Sequence, residues 1–479
     1  MTPPRARVAG MAGGGGNATA QERWHEARLI PAVGIRGQEE QEKRATSSLL
    51  AVVKAVPDFG HALIGQFGAP KGRLATYAEV QLKDSEGKTH IPDGAVVAER
   101  GKTRWRALVE VKTGSASLQV DQVNRYLDIA RDHGFDAVIT ISNQLTGSPF
   151  DSPLRVDRRK LRGVNLYHLS WWRIITEAIV QHRFRGVTDP DQAWVLGELI
   201  AYLDDERSGA SGFEDMGENW VKVRTGAAEG TLRATNPDVQ DVAERWDQFV
   251  AYLSLGLAQD LGRDVQRLLP RKETRAARID RTGARLASEG VLDAALKVPD
   301  AVGPLSVEAD LRTRRVTTSV TLDAPGLSRP LARMNWVLRQ LKHAPDGLII
   351  ETSFVNTKTT TACALTEARE NANCLLSADP KRLPRAFRLS LARPMGTKRG
   401  RGERSFVRET RQQAIDFYRE LVQDLSAWQP PAPRLPKEPS HVEELPQPDP
   451  HRSVLTTSAN RAQQHRRPLR RPETHPSVL

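Results

Sequence analysis

Cysteine is nearly absent. Cys363 and Cys374 are the two in 479 residues, and no further Cys or His stands near them at zinc spacing, so neither a disulfide framework nor a metal knuckle is expected. Long apolar runs are missing too. No window approaches the roughly 20 apolar residues of a membrane span, and the opening stretch "MTPPRARVAGMAGGGGNATA" lacks the continuous apolar segment of a secretory signal. A soluble chain in a reduced, cytoplasmic setting, with no membrane to bind, is the expectation. Acidic residues are in deficit: 70 Lys and Arg against 58 Asp and Glu leave a formal charge of +12. That balance favours partners of negative charge, nucleic acid ahead of an acidic surface.

A chain of 479 residues exceeds the size at which one core stops growing, which predicts two folded blocks and connecting segments. Residues 1–30 are rich in Gly, Pro and Ala, and 429–479 are proline-rich and then basic; both are expected to be disordered because they offer little apolar surface to offset ordering entropy. Residues 206–218, within "LDDERSGASGFED" and the stretch after it, have the Gly, Ser and charge of a linker. That leaves a first block at 31–205 and a second at 219–428.

In the first block, Ala45, Leu49, Leu50, Val53 and Val56 recur at helical spacing. "RLATYAEVQLK", "HIPDGAVVAE" and "RWRALVEVK" read as strands, the last two joined by a Gly-Lys-Thr turn. "SLQVDQVNRYLDIARDH" is a helix closed by Gly134, "FDAVITISN" and "GVNLYHLS" are strands, and "WWRIITEAIVQH" closes the block. The fold class is α/β with a mixed sheet, in the order αβββαβ and then βα. The second block opens on "NWVKVRTGAAEGTLRAT", which reads as a hairpin. A long helix from about Asp238 follows, then strands "VLDAALKVP", "GPLSVEADLR" and "RRVTTSVTLDA", the helix "RPLARMNWVLRQLKH" and the strand "DGLIIETSF". The order αβββαβ recurs, which suggests a second α/β domain that is a diverged copy of the first, with a Thr/Ser-rich strand where the first has Glu-Val-Lys.

The chemistry concentrates in "IPDGAVVAERGKTRWRALVEVKTG". Side chains alternate along a strand, so Glu110 and Lys112 point the same way. If the two strands pair antiparallel, Asp93 falls beside Glu110. Converging carboxylates in an apolar sheet repel unless a cation lies between them, and oxygen donors without a Cys/His cluster point to Mg²⁺ or Mn²⁺ rather than zinc. Lys112 beside such a metal and a water would orient the water and offset charge developing on a phosphoryl group.

Pro-Asp-Gly followed by Glu-Val-Lys on an αβββαβ core resembles the PD-(D/E)XK nuclease superfamily over residues about 35–185, and with it the restriction-endonuclease-like fold. The resemblance implies Mg²⁺-dependent hydrolysis of nucleic acid, DNA favoured. It makes Asp93 and Glu110 metal ligands together with the carbonyl of Val111, and Lys112 the water-orienting residue. Glu42 matches the acid that many members carry on the first helix, where Glu39 shares its face. Gln122 and Tyr126 match a Gln-x-x-x-Tyr element of the branch related to helicase-associated exonucleases, one helical turn apart.

Ordinary alternatives stand beside each assignment. Pro-Asp-Gly is a common turn; Glu110 with Lys112 is also what a solvated sheet face carries; Glu42 and Glu79 suit exposed positions. Trp171 and Trp172 read as core. "MGTKRGRGERSFVR" is either a phosphate-contacting loop or a basic surface loop. The second block would supply recognition, regulation or dimerisation, a homodimer being one arrangement. Two rival functions are a non-catalytic nucleic-acid-binding or stress-response protein on the same scaffold, and an interaction scaffold.

Overall fold

Proline sets the first layer. The computed structural model describes residues 28–213, 215–400 and 402–430; the segments expected to be disordered, 1–30 and 429–479, lie almost wholly outside them. In α1 (Gly37–Ala55), Ala45, Leu49, Leu50 and Val53 form one buried stripe, as the spacing requires. Pro57 ends that helix: it pushes Val56 to φ −117°, ψ 83°, and then opens α2 (Pro57–Ile64) with its own fixed φ.

Strand β1 (Arg73–Ala78) pairs antiparallel with β2 (Gly94–Arg100), and β2 with β3 (Thr103–Val111). The reversal is Gly101-Lys102, with Gly101 at φ 60°, a conformation glycine adopts without strain. A small hairpin, Leu82–Lys83 against Thr89–His90, branches off between β1 and β2. Helix α3 (Val120–Asp132) crosses to β4 (Ala137–Ser142), parallel to β3, and β5 (Asn165–Ser170) lies parallel to β4. The sheet is therefore mixed, its five strands in chain order. Alternation divides its faces. Ala107, Val109 and Val111 pack with α1, α2, α4 (Trp171–Val180) and α5 (Pro190–Asp204), whereas Ala95 and Leu108 pack beneath Val123, Leu127 and Ala130 of α3.

The second block contains α6 (Trp220–Glu229), α7 (Pro237–Leu261), α8 (Arg275–Glu289), β6 (Val291–Lys297), β7 (Leu305–Asp310), β8 (Arg315–Asp323), α9 (Pro330–Gln340), β9 (Ile349–Phe354), β10 (Thr360–Ala364), β11 (Pro384–Pro394) and α10 (Phe406–Glu420). Strands β6, β7, β8 and β9 and helices α7 and α9 stand where the sequence predicts them. The expected hairpin at 219–235 is instead helix α6, because Trp220, Val223 and Ala227 are the buried set, a 3.6-residue rather than a two-residue period. The copied topology is also absent. In the first sheet β3 and β4 are parallel neighbours, but β11 lies between β8 and β9, antiparallel to both, and every pairing in the seven-stranded sheet, completed by the short edge strand Gln266–Arg267, is antiparallel. Cys363 of β10 is disulfide-bonded to Cys374, contrary to the reduced pair expected from the sequence. No single helix among the described residues is long and apolar enough to cross a membrane.

The expected linker is packed rather than free. Ser208, Ala210, Phe213 and Met216 are buried, and Phe213 lies against Phe249 of α7 at 5.6 Å. Its glycines serve close approach: a Cβ on Gly212 would stand 3.0 Å from the Tyr252 ring and 3.1 Å from the Trp172 ring. Those two rings also meet, at 4.9 Å, so α4 of the first block and α7 of the second form a continuous apolar contact. A buried ionic cluster lies nearby. Asp247 of α7 accepts from Arg278 Nε at 2.6 Å and from Arg267, with Arg275 3.6 Å away; Arg278 in turn reaches Asp151 of the first block at 3.6 Å.

Asp247 is the shared anion of three guanidinium groups, so its loss strands buried positive charge. Asp247→Ala is expected to cost about 3–5 kcal/mol of unfolding free energy, measured by urea denaturation. An unchanged midpoint would contradict the role given to this cluster.

Candidate active site

Glu110 and Lys112 come two residues apart at the end of β3, on the face of Leu108 beneath α3. The β2–β3 register pairs Gly94 with Val109, so Asp93, one residue before β2, stands opposite Glu110. Pro-Asp-Gly is not a turn here. Gly94 pairs with both Ala78 and Val109, and a Cβ on it would lie 2.5 Å from Leu50 Cδ1 and 2.8 Å from the Tyr77 carbonyl oxygen. Glycine lets α1 lie against the strand where the acid is presented. The carboxylate is then fixed: Asp93 Oδ2 accepts the Val111 N–H at 2.7 Å.

Glu110 is 1% exposed. Lys112 Nζ pairs with its Oε1 at 2.7 Å, and Oε2 is buried with no hydrogen-bond partner among the described residues. The same ammonium contacts Glu42 Oε1 at 2.9 Å and donates to the Val111 carbonyl at 2.9 Å. Lys112 is held at its backbone as well. Its N–H donates to the Ile141 carbonyl at 2.8 Å, and its carbonyl accepts from Trp171 Nε1 at 2.9 Å.

Electrostatics follow from this crowding. Burial, then the adjacent Asp93 charge, pushes the Glu110 carboxyl up to about 8, with Lys112 opposing. For Lys112, burial alone would depress the ammonium, but Glu110 and Glu42 outweigh it and hold the group above its usual range. Tyr126 is raised by burial, with the Glu110 and Asp93 charges adding to the effect. Its hydroxyl donates to the Ile91 carbonyl at 3.4 Å, two residues before Asp93, and Gln122 Nε2 donates to that hydroxyl at 3.3 Å.

The structure thus brings Asp93, Glu110, Lys112 and the Val111 carbonyl together, with Glu42 on the far side of the ammonium and Gln122 and Tyr126 at the margin. Glu42 enters through Lys112: Asp93, Glu110 and Glu42 do not form a trio with oxygens all within 4.8 Å of one another. Glu79 stays outside, exposed and paired with Lys43 at 3.4 Å. In the basic loop, Arg399 contacts Asp215 at 3.0 Å. Sequence reasoning missed Trp171 as a partner of Lys112, since a buried tryptophan reads as core until its Nε1 finds an acceptor. It also missed Asn143, whose side-chain amide donates to the carbonyls of Gly114 at 3.0 Å and Gly209 at 2.8 Å and accepts from the Ser211 N–H at 2.8 Å. That amide ties the loop after β3 to the segment expected to be a linker; a polar residue closing an apolar strand was its signal.

The donors suit a hard divalent cation. Glu110 offers two buried oxygens, one of them paired with Lys112, Asp93 a carboxylate oriented by one hydrogen bond, and Val111 a carbonyl, an all-oxygen set of the kind Mg²⁺ takes. Among the described residues, three ligand-type side chains lie within 4.8 Å of one another at Cys363, Glu367 and Cys374, where the two sulfurs are bonded to each other. No protein-family model matches the chain, and no curated protein matches it.

Glu110 titrates higher in the native state than in the unfolded chain, where an ordinary carboxyl loses its proton near 4.5. Its contribution to stability is full below that pH and is lost as pH rises to about 8, by at most about 1.4 kcal/mol per pH unit. In EDTA, the unfolding free energy of wild type should therefore fall relative to that of Glu110→Gln across this window. A difference independent of pH would contradict the assignment.

Proposed function

We propose that the chain is a metal-dependent nuclease of the PD-(D/E)XK type, in which the first block forms a restriction-endonuclease-like core and hydrolyses phosphodiester bonds of nucleic acid, DNA favoured. One observation carries the reading: a buried carboxylate, Glu110, lies opposite Asp93 and pairs with the ammonium of Lys112 at 2.7 Å. A core that only needed stability would place an apolar side chain at such a position. The formal charge of +12 supports a polyanionic partner.

Asp93, Glu110 and the Val111 carbonyl would hold Mg²⁺ or Mn²⁺. Such an ion, when bound, supplies a Lewis acid that lowers the pKa of water and offsets phosphoryl charge. Lys112 Nζ then donates to the attacking water and to the phosphoryl oxygen that gains charge. Glu42 keeps the lysine charged and aimed, and Trp171, through the Lys112 carbonyl, fixes the backbone that carries it. Gln122 and Tyr126 border the site from α3, where their polar ends suit contact with a substrate phosphate. The second block, fused to the first through α4 and α7, would present or select the substrate.

The test is cleavage of labelled single- and double-stranded DNA and RNA by the full chain with Mg²⁺ or Mn²⁺. Asp93→Ala and Lys112→Ala should each lower the rate by about 10²-fold or more, with fold verified by circular dichroism. Equal rates in wild type and both variants would remove the catalytic reading. Binding that weakens with salt, with no strand cut under any condition, would instead favour a nucleic-acid-binding protein on this scaffold.

A further inference from the structure

Away from the carboxylates, on the first turn of α4, Arg173 poses a separate problem. Its backbone N–H meets the Ser170 hydroxyl oxygen at 3.1 Å, but its guanidinium makes no hydrogen bond or ion pair with any described residue, although the side chain is part-buried. The more deeply buried Arg267 and Arg278, by contrast, share Asp247. The acids nearest Arg173 are engaged with other groups. Glu177 pairs with Arg185, and Asp264 Oδ2 accepts from Gln266 Nε2 at 2.7 Å. Burial lowers the guanidinium's pKa, only partly offset by Asp264 and Glu177. A part-buried cation without a partner gains when an anion supplies acceptors.

Arg173 lines an open cavity of about 570 Å³ between α2, α4 and α7, with Lys71, Arg185 and Arg263 also at its walls and Asp58, Glu177 and Asp264 as acids there. Lys71 is exposed and, like Arg173, has no carboxylate partner among the described residues. The cavity shares no residue with the Asp93–Glu110 site. We propose that it is a binding site for a phosphate-bearing anion, with the Arg173 guanidinium as the principal anchor and Lys71 as the second cation. The planar fork of arginine donors suits two oxygens of one phosphate. The volume lies within the roughly 300–1,000 Å³ of small-molecule sites, room for a phosphomonoester of mononucleotide size as well as for the bare ion.

The experiment uses the full chain in EDTA at fixed ionic strength, so that neither metal nor charge screening contributes, and it does not depend on the nuclease reading. Inorganic phosphate and adenosine 5′-monophosphate are titrated separately, with NaCl as the control, and read by calorimetry and by unfolding temperature. Saturable binding is expected, at least tenfold weaker in Arg173→Gln. Lys71→Gln, at an exposed position, should weaken it as well and keeps the test informative if the arginine variant does not fold. Tighter binding of the nucleotide identifies a phosphomonoester, and equal binding of both identifies the phosphate group alone. No saturable binding of either, affinity unchanged in the variants, or stabilisation reproduced by NaCl overturns the proposal.

Discussion

The ammonium of Lys112, set between Glu42, Glu110 and the carbonyl of Val111, is the interaction on which this half of the molecule depends. A carboxylate as buried as Glu110 is tolerated in a sheet only when a cation or a proton answers its charge, and here both are available. Lys112 offsets the charge, and the raised pKa keeps a proton within reach near neutrality. Through Glu42 the same ammonium couples α1 to the end of β3. Helix and strand therefore share one electrostatic joint, and a divalent ion at the carboxylates would take over part of the work that the lysine does without it.

The surroundings of that joint are built to hold backbone rather than to add charge. Val111 N–H orients Asp93, Ile141 and Trp171 fix the Lys112 peptide, and Asn143 ties the following loop to 209–211. The segment between the blocks thus belongs to the support of the site, which explains why its glycines and serines are packed. The contact of α4 with α7 and the cluster around Asp247 carry that support into the second block. Motion of one block against the other would disturb the chain just beyond Lys112.

Much of the first block was legible because its patterns are local. Alternation in "GAVVAERGKTRWRALVEV", interrupted by Gly101-Lys102, yields a hairpin whose register alone sets Asp93 opposite Glu110; the stripes of α1 and α3 are equally direct. What was illegible depends on partners distant in sequence. Val221 and Val223 alternate as a strand would, but Trp220, Val223 and Ala227 find a common core, so helix prevails over local pattern. Strand β11 enters the sheet between β8 and β9 from more than 60 residues beyond β8, which no repeated αβββαβ order announces. Cys363 and Cys374 are brought together by the short helices after β10, Leu365–Glu370 and Ala372–Leu375. The partners of Lys112 were only half visible: spacing identified Glu110, while Glu42 competed with Glu39 until the helix was placed.

The proposed function stands or falls with a divalent cation held by Asp93, Glu110 and the Val111 carbonyl. Iron(II) with ascorbate and peroxide cleaves a protein backbone beside its bound ion, and it reports location without requiring catalysis or a substrate. Cuts are expected near residues 93 and 110–112, suppressed by excess Mg²⁺ and lost in Glu110→Gln. Cuts elsewhere only, or cuts at these positions that neither Mg²⁺ nor the substitution affects, would contradict it.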